Sequence, residues 1–170
     1  MICNPPSSRE KPLFWIEMPG PGRLAIAARP RAGDWLIDEI NGWRLAGVDE
    51  VVSLLEPHEM HDLELDGEAE ACSQAGIAFT SFPISDRGVP SSLMKTRALV
   101  TDCKGWLSAG RGVLVHCRAG IGRSALVLAC VLVSLGDRPE AALARIRSAR
   151  GLEVPDTPTQ TQWVEAFGRA

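Results

Sequence analysis

The chain has 170 residues and a mass of 18.3 kDa, with 45% hydrophobic residues, 23% charged residues and a net charge of −3. That length suits one domain, that composition excludes disorder as the main state, and an acidic balance without a basic stripe excludes a nucleic-acid-binding surface. The longest apolar run, Ala125 to Leu135, is far short of the ~20 residues a membrane span needs, and no basic-then-apolar leader opens the chain. Five cysteines (Cys3, Cys72, Cys103, Cys117, Cys130) are an odd number without a CxxC pair. Neither a disulfide framework nor a zinc site is expected, and reduced thiols in a cytoplasm are the simplest reading.

Residues 1–12 read as a loosely held arm and 13–170 as the folded domain. Leu13 to Glu17 and Leu24 to Ala28 read as short strands around the turn Pro19-Gly20-Pro21-Gly22. Asp34 is a candidate N-cap for a helix to about Leu45, with Trp35, Leu36, Ile40 and Trp43 on one face. Val48 to Leu55 is a buried-strand candidate. Pro57 to Leu63 and Gly67 to Ala75 look helical, and Ile77 to Ile84 is another strand. A loop by composition, Ser85 to Pro90, leads into a helix from Ser91 with Leu93, Val100, Cys103 and Leu107 at helical spacing. Val113-Leu114-Val115 is a short apolar strand, and Ser124 to Leu135 an apolar helix. Asp137 with Glu140 forms a capping-box pattern for a helix to Arg150, and Thr157, Pro158 and Gln160 open the last one. Strands alternating with helices predict an α/β fold: a largely parallel, twisted central sheet of about five strands with helices on both faces.

The chemistry concentrates in Val113-Leu114-Val115-His116-Cys117-Arg118-Ala119-Gly120-Ile121-Gly122-Arg123-Ser124. An apolar strand ends in a cysteine, a glycine-bearing loop follows, and a helix begins. A helix N-terminus offers free N–H groups and the positive end of a dipole, which bind an anion such as phosphate. The same field favours a thiolate, so Cys117 is expected to ionise below the ~8.5 of a free thiol. Arg123 can fold back over the loop and hold two phosphate oxygens with its planar fork. A buried cysteine beside a packing turn is the alternative, but it does not explain the cysteine, glycines, arginine and serine together.

The run His116-Cys117-x-x-Gly120-x-x-Arg123-Ser124 resembles the signature of the cysteine-dependent protein tyrosine phosphatases. The fuller form, HCRAGIGRS with Val127 and Ala129 following, is similar to the compact dual-specificity branch, including its kinase-associated, Cdc14-like and bacterial members. The resemblance runs from about Val48 to Val164. It implies a metal-free phosphomonoester hydrolase needing no cofactor. Cys117 would form a phosphocysteine, and Arg123 with the backbone N–H groups of Arg118, Ala119, Gly120, Ile121, Gly122 and Arg123 would hold the phosphoryl group. Ser124 would donate to the departing sulfur, and His116 would act behind the loop, tuning the thiolate and fixing the loop's shape, with a satisfied core histidine as the structural alternative. His58 and His61 lack zinc-binding spacing and read as surface residues.

The reaction also needs an acid for the leaving oxygen. The loop Phe82-Pro83-Ile84-Ser85-Asp86-Arg87-Gly88-Val89-Pro90 supplies Asp86 where the family carries its acid loop, although the family often has Pro at the position of Ser85. Gln160 matches a water-positioning glutamine of relatives, with helix capping as the alternative; Asp156 stands where some relatives carry a second glutamine. Inositide phosphatases favour Lys at the places of Arg118 and Ile121, so a phosphorylated protein or peptide (phosphotyrosine, with phosphoserine or phosphothreonine admitted by a shallow pocket) is the expected partner, acted on by a monomer. A phosphoinositide is the alternative substrate. A non-catalytic phosphate-binding module and a thiol enzyme of the arsenate reductase or rhodanese kind are the competing classes. Arg87 is a candidate rim cation. Cys72, Cys103 and Cys130 are either inert core thiols or disulfide partners of Cys117, and the five tryptophans read as packing residues.

Overall fold

The computed structural model describes residues 11–170. Strands β1 (Phe14–Ile16), β2 (Arg23–Ala28), β3 (Glu50–Ser53), β4 (Ala78–Ser81) and β5 (Gly112–Cys117) form one sheet in the order β1-β2-β5-β3-β4. Only β1 runs antiparallel to its neighbour; β2, β5, β3 and β4 are mutually parallel. The helices are α1 (Leu36–Leu45), α2 (Pro57–Asp62), α3 (Glu68–Gln74), α4 (Leu93–Ser108), α5 (Arg123–Ser134), α6 (Pro139–Arg150) and α7 (Pro158–Arg169). The expected α/β architecture, with helices on both faces, is the one found.

The sequence places β5 at the centre because all six of its residues are buried, which only a strand with two partners and two covered faces permits. Its period of two divides the molecule. Val113, Val115 and Cys117 join the larger core with α4, α5, α6 and α7, while Leu114 joins the smaller core with Ile40 and Trp43 of α1 and Cys72 of α3. His116 therefore faces away from its neighbour Cys117 and packs on the Trp43 ring, 5.9 Å between centroids. Helix α5 is apolar all round, with every residue from Ala125 to Leu132 buried, because it lies between the sheet and the other helices of its face.

Several local expectations change. Asp34 caps nothing; it lies in a 3-10 turn, Gly33–Trp35, that precedes α1. Trp35 is 45% exposed and Leu93 41% exposed, so neither belongs to the buried face of its helix. Asp137 does not cap α6, whose N-cap is Arg138; its carboxylate accepts instead from Arg145 Nε at 2.8 Å. Strand β3 is shorter than its apolar run because Leu54 and Leu55 stay buried past the last ladder pair, whereas β4 is a short, largely exposed edge strand. The expected arm falls largely on residues 1–10, outside the described residues, as does Cys3. Lys11 is already fixed: its N–H donates to Glu39 and its ammonium to the Arg29 carbonyl.

Candidate active site

The site lies beyond the carboxyl end of β5, where parallel sheets bind ligands. Residues 118–122 join Cys117 to α5, whose N-cap, Gly122, offers no side chain to the first turn. The loop and first-turn N–H groups are thus open toward the sulfur and an anion above it. Two glycines make the loop possible. Gly120 has φ +66° and lies so close to β2 that a Cβ would sit 2.5 Å from the Ala27 carbonyl carbon; at Gly122 a Cβ would meet Asp156 at 2.8 Å and Gln160 at 2.9 Å. From outside, Arg150 donates to the carbonyls of Gly120 (2.9 Å) and Ala119 (3.2 Å). The sequence carried no signal for that arginine.

Cys117 is 3% exposed. Burial works against a thiolate here, yet the thiol is held below its ordinary value, because the Ser124 hydroxyl and N–H, the Arg123 charge and the Ile121 N–H together outweigh desolvation. The Ser124 hydroxyl is buried and completes no directed hydrogen bond to another protein group, so its proton is free for the sulfur beside it. Burial pushes Cys72 and Cys103 up to about 12, and Cys130 further. These four described cysteines are free, and only Cys117 is poised to react.

Arg123 is 2% exposed, and both terminal nitrogens of its guanidinium are engaged. Nη1 donates to Glu59 Oε2 (2.7 Å) and to the Ile84 carbonyl (2.9 Å), and Nη2 to Glu59 Oε1 (3.0 Å) and Asp86 Oδ1 (3.2 Å). Glu59 is a functional residue that sequence reasoning missed. It holds the fork in place, and burial, which alone would raise its pKa, is overcome by the Arg123 hydrogen bond so that the carboxyl lies below its ordinary value. Glu59 is itself set by the capping box that opens α2, its carboxylate accepting from the Glu56 N–H at 2.9 Å. An E-x-x-E after a strand was the only trace of it in the sequence.

Asp86 comes to the same cavity from the facing loop, with its side chain 59% exposed. The cavity, of about 210 Å³, is lined by Asp86, Arg87, Cys117 and Arg123, by Arg118, Ala119, Ile121 and Gly122, and by Asp156. Larger hollows lie away from this chemistry; one of about 300 Å³ at the opposite end of the sheet is lined mainly by apolar side chains and a proline-glycine turn. Arg87 has φ 58° and pairs with Asp156 at 3.2 Å across the mouth. Gln160 is fully buried: its Oε1 accepts from the N–H groups of Asp156 and Thr157, both at 3.1 Å, and its Nε2 donates to the Gly88 carbonyl at 3.0 Å. Both ends of its carboxamide are thereby engaged in joining the start of α7 to the acid loop, and Thr157 completes the expected capping box. Arg118 is exposed at the rim. Behind the loop, His116 Nε2 lies 2.6 Å from Glu68 Oε1, and Nδ1 lies 3.3 Å from the Cys117 carbonyl. His58 and His61 are on the surface.

Known proteins resemble this chain in sequence and in fold. Cyclin-dependent kinase inhibitor 3 of Homo sapiens is 30% identical over 125 residues, 71% of this chain, and its Rattus norvegicus counterpart 29% identical over 126 residues, 72% of this chain. The chain spans 58% of the length of either. Among solved structures, kinase associated phosphatase with its catalytic-site cysteine replaced by serine superposes with a TM-score of 0.86 at 22% identity, covering 95% of this chain and 96% of that one. Tk-PTP in the active form superposes at 0.72 with 26% identity, covering 87% and 92%. A family model described as "Polymorphic toxin system, DSP-PTPase phosphatase" matches residues 27–137. That span takes in most of the sheet, the acid loop, the phosphate loop and α5, and the chain accordingly belongs to the DSP-PTPase phosphatase family, within the compact cysteine-based protein tyrosine phosphatases.

Proposed function

We propose that the chain is a metal-independent phosphomonoester hydrolase acting on phosphorylated proteins through a phosphocysteine, with residues 13–170 as its catalytic unit. The observation that carries this reading is the approach of Asp86 Oδ1 to Arg123 Nη2, 3.2 Å, at a cavity shared with Cys117. Nucleophile, anion clamp and acid thus face one volume. The Cys117 thiolate attacks phosphorus while the P–O bond to the leaving group breaks, and Asp86 gives that oxygen its proton. Arg123 and the loop N–H groups hold the equatorial phosphoryl oxygens, so positioning and electrostatics supply most of the acceleration. Asp86, now a carboxylate, takes a proton from water as water attacks phosphorus and the P–S bond breaks. The Ser124 hydroxyl donates to the sulfur that departs as thiolate.

The modest, open cavity supports phosphotyrosine with phosphoserine and phosphothreonine as substrates, and the kinase-associated relatives support a protein rather than a metabolite. The test is p-nitrophenyl phosphate turnover in excess EDTA, wild type beside Cys117→Ser. Hydrolysis that persists in EDTA and vanishes in the variant is expected. A folded, reduced wild type without activity would indicate a binding module, and activity surviving the substitution would place the nucleophile elsewhere.

A further inference from the structure

His116 and Glu68 form a buried hydrogen-bonded pair that the reaction scheme does not use. Both side chains are 0% exposed. They meet across two elements: His116 near the end of β5, on the sheet face opposite the nucleophile, and Glu68 at the start of α3. Each ring nitrogen faces an acceptor, Nε2 the Glu68 carboxylate at 2.6 Å and Nδ1 the Cys117 carbonyl at 3.3 Å. A neutral imidazole has one donor and one acceptor nitrogen, so two acceptors call for the doubly protonated ring. Trp43 of α1 packs on this ring, Ser53 is its register partner on β3, and Cys72 of α3, whose thiol burial and the Glu68 charge push up to about 12, stays neutral. Around the sulfur itself stand Arg123, Ser124 and the Ile121 N–H, with Arg150 acting from α6, Asp86 meeting Arg123 from the acid loop and Glu59 engaging it from α2. Breaking a buried pair leaves an uncompensated charge, so the imidazolium persists only while Glu68 is there.

We propose that Glu68 is a positioning residue of the phosphatase site: it holds His116, which the resemblance already implies tunes the thiolate, as a buried imidazolium one residue from Cys117. The inference rests on the hydrolase reading for its biological meaning, but not for its test. Although burial opposes the cation, the Glu68 charge and hydrogen bond keep the imidazole above its ordinary value, in agreement with the geometry. The second Glu68 oxygen has no protein partner, so the pair is its one directed engagement.

The experiment is the pH dependence of iodoacetate alkylation, read at the Cys117 peptide by mass spectrometry, for wild type and Glu68→Gln. The amide keeps an acceptor for Nε2–H and removes the charge. The alkylation midpoint is expected to rise by about one unit, an about tenfold slower reaction on the acid side. The acid limb of kcat/KM for p-nitrophenyl phosphate should move with it while KM holds. Superimposable alkylation profiles would overturn the proposal, whatever the change in melting temperature. If Glu68→Gln does not fold, ¹⁵N shifts of the wild-type His116 ring decide: two protonated nitrogens near neutral pH uphold the pair, and one protonated nitrogen beside a carboxylic acid at Glu68 overturns it. A shifted alkylation profile in a protein that hydrolyses no phosphoester would uphold this inference and sink the hydrolase reading alone.

Discussion

The phosphate loop and the acid loop face each other across one cavity and are built on opposite principles. Between Cys117 and Arg123 the chain is locked from several sides, by the backbone of β2 under Gly120, by Asp156 and Gln160 against Gly122 and by Arg150 on two carbonyls. Its two reactive side chains are almost wholly buried. The acid loop is exposed at Ser85, Asp86 and Arg87 and is held there mainly through side chains: Asp86 to Arg123, the Ser85 hydroxyl to Glu56 (3.1 Å), Arg87 to Asp156, and the Gln160 amide to the Gly88 carbonyl. The first arrangement suits groups that must hold one geometry through both proposed chemical steps. The second suits a group that delivers a proton and must let substrate in and product out.

This contrast can be broken at the rigid side first. Arg123→Lys keeps a positive charge but loses the fork that engages both Glu59 oxygens, and kcat is expected to fall by roughly 10²–10³-fold in an aryl phosphate assay. A loss below tenfold would mean charge alone suffices. Asp86→Asn should lower kcat by about 10²-fold and remove the alkaline limb of the pH profile, leaving phosphate affinity nearly unchanged; inhibition by inorganic phosphate and a rate profile measure both. The acid limb should remain, because it belongs to Cys117. With its pKa depressed, the thiolate is retained until pH falls through that lowered value, and activity is lost below it.

Smaller effects sharpen the comparison. Glu59→Gln removes the charge opposite a buried guanidinium, and denaturant unfolding should report a loss of about 3 kcal/mol, with activity falling because the fork is no longer fixed. Glu59 is depressed in the folded state. The stability it lends is therefore present above its unfolded pKa, ~4.3, and lost as pH falls through the lower folded value, so the wild type should lose stability there and the variant should not. Gln160→Ala should cost on the order of 1 kcal/mol through its lost hydrogen bonds and change kcat only a few-fold. A loss as large as that of Asp86→Asn would indicate a direct role in positioning water.

How much was legible follows from where each residue sits in the chain. Cys117, Ser124 and Arg123 fall within one strand-loop-helix unit, so spacing alone brought them together. Asp86 was readable because the resemblance puts an acid loop between that strand and helix, and Phe82 to Pro90 carries one carboxylate. Glu59, Glu68 and Arg150 were not readable. Each reaches the site from a different helix, and nothing in a Glu or Arg on a polar helix marks which side chain it will meet across the fold. The same blindness misassigned Asp34 and Asp137, whose local cap patterns lost to a 3-10 turn and to Arg145.

The sequence by itself determined the order of elements, the central burial of β5 and the nucleophile-to-arginine loop, since these depend on apolar periodicity, glycine and neighbours within a few residues. Only the tertiary structure decided which charges would be buried and with which partners. Glu59 on Arg123, Glu68 on His116 and Arg150 on the loop carbonyls are set by how α2, α3 and α6 pack on the sheet. The low dielectric around Glu59–Arg123 and Glu68–His116 strengthens those two pairings, and burial is a property of the packed molecule rather than of any segment of chain.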